Sequence, residues 1–172
     1  MQTSLVAITA DDIPAFLLLN NLALPHVNEL DEDALGRLIV QSWYCKRVFR
    51  EDNQETTAAE EMLGFLMVLT SGQPYESLNY RWFSDRYDQF AYVDRIVVAE
   101  ASRGSGFAAR LYEDLFESAR LEGLQRVCCE VNLVPPNPVS LAFHAKLGFV
   151  EVGQQETEGG SKKVSLLIKE LE

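Results

Sequence analysis

At 172 residues the chain has room for one compact domain, and 47% hydrophobic with 24% charged residues excludes disorder, collagen-like repeats and coiled-coil fibres. Fifteen Lys and Arg against 26 Asp and Glu give a formal net charge of -11, which opposes general binding to nucleic acid or anionic lipid while allowing a cationic partner and one local basic site. Cys45, Cys128 and Cys129 form no CxxC pair, no Lys or Arg precedes Arg37, and no apolar run approaches 18 residues. The expectation is a single domain over residues 1–172, cytoplasmic, without a metal site, and with room for a homodimer.

In chain order, Ser4 to Thr9 reads as a first strand, and Asp11, Asp12 and Pro14 have the composition of a helix start. Leu17 to Leu24 continues that helix and Asp31 to Gln41 gives a second. Tyr44 to Arg50 and Glu61 to Leu69 read as a hairpin joined by the acidic loop Glu51 to Glu60, and Ala91 to Val98 is a further strand rich in β-branched residues. The clearest helix follows: Ala108, Leu111, Tyr112, Leu115, Phe116 and Ala119 share one apolar stripe, and Gly123 is placed to stop it. Gln125 to Asn132 returns as a strand, so this strand, helix, strand unit implies parallel neighbours. Pro135, Pro136 and Pro138 mark a turn into a short helix over Val139 to Leu147. Phe149 to Val152 and Val164 to Leu171 then close the chain as a hairpin, with Gly153 to Lys163 read as its turn. The sum is an α/β fold, a mixed sheet with helices on both faces.

Ala101 to Gly106, Ala-Ser-Arg-Gly-Ser-Gly, lies between a strand and a helix. Glycines there let backbone amides converge on an anion, and a helix N-terminus adds roughly half a positive charge, so a phosphate or pyrophosphate is the natural guest. A flexible strand-to-helix turn is the plainer alternative. Gly104, Gly106 and Ala109 also spell a dinucleotide fingerprint, but Ala99 to Arg103 separate them from the strand and too little chain remains for the parallel strands that fold needs. Gly160, Ser161 and Lys162 run in the wrong order for a Walker loop.

The spacing resembles the GNAT superfamily of acetyl-CoA-dependent N-acetyltransferases, whose cofactor loop reads Gln or Arg, two residues, Gly, one residue, then Gly or Ala. Arg103, Gly106 and Ala108 fill those positions. A second match is independent: Asn137, His144, Lys146, Gly148 and Phe149 follow the family's spacing of Asn, a Tyr seven residues on, and Lys-x-Gly-Phe, with His144 where Tyr is usual. The resemblance covers Ala91 to Val152. It implies a GNAT-like, mostly antiparallel central sheet and acetyl-CoA as cofactor, its pyrophosphate held by Arg103, Gly104, Ser105, Gly106, Phe107 and Ala108. It further implies that backbone groups of Ile96, Val97 and Val98 pair with the pantetheine arm, with Asn137 and Lys146 also serving the cofactor.

Direct acetyl transfer needs a neutral amine and a proton for the departing thiolate. An aliphatic ammonium has a pKa near roughly 10, so a base must act on it. Asp94 shares a strand face with Ile96 and Val98, and many relatives carry a carboxylate there; a structural ion pair is its other reading. His144 stands at the proton donor's position and must be charged to serve, or else it is a packing residue. Of Cys128 and Cys129, alternation sends at least one to the core, and no base is recognisable for a cysteine nucleophile. Tyr75, Tyr80, Trp82, Phe83, Tyr87, Phe90 and Tyr92 crowd one segment with Arg81, Asp85, Arg86 and Asp88, read as a loop beside the transfer site. Some of these rings belong to the core and some to an acceptor pocket, in which Tyr80, Arg81, Trp82 and Arg86 are the expected substrate contacts. The expected reaction is acetyl transfer to a small amine, amino-acid-like. The alternatives are an N-terminal acetyltransferase of peptides or proteins, and an acyl-CoA-binding module without catalysis.

Overall fold

The computed structural model of the protein describes residues 3–50 and 62–172. The strands are β1 (Thr3–Ala7), β2 (Tyr44–Arg50), β3 (Met62–Thr70), β4 (Phe90–Val98), β5 (Arg126–Val134), β6 (Val150–Thr157) and β7 (Lys162–Glu170). The helices are α1 (Ile13–Leu22), α2 (Glu32–Gln41), α3 (Leu78–Ser84), α4 (Phe107–Leu121) and α5 (Pro138–Lys146). The sheet order is β1-β2-β3-β4-β5-β7-β6; β1–β2, β2–β3, β5–β7 and β6–β7 are antiparallel and β4–β5 is parallel. The expected mixed, mostly antiparallel sheet is therefore present. Among the described residues no helix is long and apolar enough to cross a membrane. The acidic loop expected over Glu51 to Glu60 lies outside the described residues, as does Glu61, expected to open the strand that here begins at Met62.

The residues group into two compact units interleaved in sequence, the first reaching Val68 and resuming over Arg95–Leu115, the second formed by Leu69–Asp94 and Phe116–Glu172. In the first unit, strand alternation sorts the side chains of β2 between two helices. Arg47 and its cross-strand partner Phe65 face one way: Arg47 pairs with Asp12 at 2.9 Å, and Phe65 stacks on Phe16 of α1 with ring centroids 3.7 Å apart. Tyr44 and Lys46 face the other way and reach Asp114 of α4 at 2.7 and 2.6 Å. Burial and the Asp114 carboxylate together push the Tyr44 phenol up. Asp12 is almost wholly buried and also accepts hydrogen bonds from the Thr9 backbone and hydroxyl at 2.9 and 3.0 Å, which fixes the chain entering α1. Asp31 caps α2, accepting from the Ala34 amide at 2.7 Å.

The second unit also carries helices on both faces. Leu69, Tyr80, Phe83, Phe90, Tyr92, Cys128, Val164, Leu166 and Ile168 form one buried cluster, through which α3 packs onto the strands. On the opposite face Phe116 meets Phe149, with centroids 6.2 Å apart, and Lys169 lies over the Phe116 ring.

Two expectations change. The segment rich in aromatic and charged residues, read as a loop, contains α3, because Ser77 caps it, accepting from the Tyr80 amide at 3.3 Å, and because Tyr80 and Phe83 bury one face three residues apart. The closing hairpin is longer than expected: Gly153 to Thr157 are strand, not turn, paired with β7 down to Thr157↔Lys162. Polar alternation hid that strand, since its outer face meets solvent. Gly153 sits at a register shift in β6, where an added Cβ would lie 2.7 Å from Cζ2 of Trp82. The missing side chain is what lets α3 dock there. Gly153→Val is expected to destabilise the fold by about 1–3 kcal/mol, through displacement of Trp82, measured as a lower denaturation midpoint with unchanged slope.

Candidate active site

The loop after β4 has the geometry of an anion cradle. A 3-10 turn over Glu100–Ser102 leads into Gly104 and Gly106, whose φ values of 79° and 81° are left-handed and favour glycine. Open space stands where a Cβ would project from either one. The first i to i−4 bond of α4 runs from the Arg110 amide to the Gly106 carbonyl at 3.0 Å, so the amides of Phe107, Ala108 and Ala109 precede it and have no intrahelical acceptor. Exposed glycines, these three amides, the helix dipole and the exposed Arg103 suit a phosphate or pyrophosphate. On β4 the burial pattern confirms the expected alternation: Asp94, Ile96 and Val98 share the half-buried face while Arg95 and Val97 are buried.

In the second unit the parallel ladder between β4 and β5 pairs Phe90, Ala91 and Tyr92 with Arg126, Val127 and Cys128. Both strands continue past its last pair. Two residues on, alternation puts Asp94 on the face of Tyr92, and Glu130 on the face of Cys128. The Tyr92 hydroxyl donates to Glu130 at 2.8 Å, and the Tyr75 hydroxyl donates to Oδ1 of Asp94. Burial first, then the nearby Glu130, Asp94 and Tyr75, push the Tyr92 phenol well above its ordinary value, so it remains a neutral donor. Two carboxylates and two phenols thus gather at the end of the ladder. Of these, only Asp94 was expected as a catalytic residue. Glu130 escapes a sequence reading because an acid in a strand looks like any half-exposed position until the register of its neighbour is known.

Beside this cluster lies a cleft of about 640 Å³, lined by Ser71, Gly72, Gln73, Pro74, Tyr75, Glu76, Tyr80, Arg81, Ser84, Tyr87 and Asp88. Of the four expected substrate contacts, Tyr80 and Arg81 are in its wall. Tyr80 is largely structural, donating to the Thr70 carbonyl at 2.7 Å and accepting from the Gln73 amide at 2.9 Å, whereas Arg81 is exposed. Trp82 and Arg86 are not in the cleft lining. The Trp82 ring packs against Gly153, and Arg86 stacks on that ring at 3.9 Å while donating to the Trp82 carbonyl at 2.9 Å.

His144 is 3% exposed, set edge-on to Phe143 and Phe149. Its Nδ1 lies 2.7 Å from the Ser140 carbonyl, which only accepts, so the proton sits on Nδ1 and a neutral ring keeps its lone pair on Nε2. Burial lowers the pKa of His144, partly offset by that bond, and disfavours the imidazolium. Asn137 caps α5, its Oδ1 accepting from the Ser140 amide at 3.3 Å, and Lys146 is exposed at the other end of α5. Cys128 and Cys129 are both buried, and burial pushes the Cys128 thiol up, away from nucleophilic thiolate.

The model of the Acetyltransferase (GNAT) family matches residues 26–149. The chain belongs to this family. As a GNAT acetyltransferase it takes acetyl-CoA as acyl donor. Similar solved structures include Arabidopsis thaliana NAA60 in complex with a bisubstrate analogue, at TM-score 0.78 and 16% identity over 98% of each chain. The NatC complex bound to Gag peptide and CoA aligns at TM-score 0.77 and 14% identity over 100% of each chain. The ribosomal-protein-S18-alanine N-acetyltransferase from Escherichia coli aligns at 0.72 and 15%, over 99% of this chain and 94% of that one. These identities establish a shared fold. No curated protein matches the chain by sequence.

Two outcomes follow from the geometry. Gly106→Glu forces a side chain and a negative charge into the cradle at a left-handed residue, so acetyl-CoA affinity in calorimetry should fall at least tenfold while circular dichroism stays native. For His144 the folded pKa lies below the unfolded value near roughly 6.5, so the unfolded chain binds more protons between the two. Stability is then complete above the unfolded pKa and is lost as pH falls through that window. Denaturant titrations at pH 7.5 and pH 5 should show this loss reduced in His144→Phe, read as the change with pH and not as the level.

Proposed function

We propose that this GNAT acetyltransferase acetylates a small amine bearing a carboxylate, an amino acid or a compound like one. The observation that carries the reading is the cleft beside the acid cluster, with the Arg81 cation at its wall and Tyr75 joining that wall to Asp94. A zwitterion has two ends, and the two charges suit them: the ammonium goes to Asp94 and Glu130, the carboxylate to the Arg81 guanidinium. A cleft of about 640 Å³ is within the usual range for a small-molecule site.

Bound acetyl-CoA supplies an activated thioester carbonyl. The loop Arg103–Ala108 holds its pyrophosphate, and the backbone of Ile96–Val98 guides the pantetheine arm, with Asn137 and Lys146 assigned to the cofactor by their motif. Asp94 takes the proton from the substrate ammonium and Glu130 holds the same cation, so the amine nitrogen is released with its lone pair for attack. The new C–N bond forms as the C–S bond breaks, and the thiolate then needs one proton. His144 supplies it only after being protonated itself, because burial keeps the resting ring neutral. Accepting at Nε2 a proton relayed from the amine and returning it to sulfur balances the reaction.

Amine-dependent release of free thiol tests this reading. Amines carrying a carboxylate should be better substrates than matched amines without one, and Arg81→Ala should reduce kcat/KM for the former by roughly ten- to a hundredfold with little effect on the latter. Arg86→Ala should leave the preference in place, since its guanidinium is held on Trp82. Better turnover of peptides or polyamines by the wild type would overturn the small-zwitterion reading in favour of a peptide or polyamine acceptor.

A further inference from the structure

Tyr75 lies on the segment between β3 and α3, lines the cleft, and is bonded through its hydroxyl to Asp94. Its ring is fixed on two sides. Tyr80 stands edge-on at 5.6 Å between centroids, and Tyr92 is tilted at 6.5 Å. Tyr80 is itself immobilised, 2% exposed with its hydroxyl bonded to Thr70 and Gln73, and Tyr92 is held by Glu130. The phenol therefore reaches Asp94 from a rigid aromatic wall and not from a loose surface side chain.

We propose that Tyr75 is a positioning residue for acetyl transfer, orienting the Asp94 carboxylate toward the acceptor amine. A carboxylate on a short stem rotates about its Cβ–Cγ bond. A donor fixed on Oδ1 stops that rotation and so sets the direction in which the carboxylate meets the substrate ammonium. This inference rests on Asp94 acting as the base.

The test uses the intact protein with Tyr75→Phe, which keeps the ring packing and removes only the hydroxyl. Turnover should fall about ten- to a hundredfold, the size expected for loss of a hydrogen bond to a charged group, with KM for the amine and calorimetric affinity for acetyl-CoA within twofold of wild type. In an Asp94→Asn background the same change should leave the residual turnover unaltered, because there is no longer a carboxylate to orient. Wild-type kcat in Tyr75→Phe, or an equal fall in both backgrounds, overturns the positioning role while leaving Asp94 as base. Wild-type kcat in Asp94→Asn alone overturns the base assignment and the positioning role with it. A rise in KM with kcat unchanged makes Tyr75 a binding surface only, and also overturns the proposal.

Discussion

Tyr92 is buried at the last pair of the β4–β5 ladder, and a buried hydroxyl must find a partner or lose the free energy of its hydration. Glu130 provides that partner from the neighbouring strand. The consequence reaches beyond one bond. An acid is drawn to the end of the ladder on the face where α3 packs, Asp94 stands two residues along β4 on the same face, and Tyr75 comes over to meet it. The polar cluster of the second unit is thus tied to the need to satisfy one phenol.

The first unit poses a different problem, since a protein of net charge -11 repels the phosphates of its acyl donor. The groups there that suit an anion carry little side-chain charge. Gly104 and Gly106 are left-handed, the first amides of α4 have no intrahelical acceptor, and Arg103 adds one exposed cation. Backbone dipoles are insensitive to overall composition, which is why an acidic surface and an anion cradle coexist.

How much was legible varies with the range of the interactions involved. The glycine turn into α4 was readable because glycine spacing and a helix start are local, and the parallel β4–β5 crossover because an amphipathic helix between two strands leaves little choice. Helix α3 was missed where aromatic and charged residues obscure the pattern, although Ser77 and the spacing of Tyr80 and Phe83 carry a helix signal. The outer strand β6 was shortened because polar residues on a solvent-facing strand resemble a loop. In the aromatic segment Tyr80 and Phe83 are buried while Tyr75 and Tyr87 line the cleft, and Trp82, expected at the acceptor, is not in its lining. Which ring went where depended on partners far away in sequence: Gly153 for Trp82, Asp94 for Tyr75.

The sequence by itself determined the family and the donor, because those follow from residue types at fixed short spacings. Only the tertiary structure decided the company each polar group keeps. It joined Tyr92 to Glu130 across 38 positions, aimed Arg81 at the cleft while pinning Arg86 on an indole, and buried His144 so that its neutral form prevails. The physical reason is that hydrogen-bond partners, desolvation and the local charge environment are properties of packing across the fold, and no local run of residues specifies them.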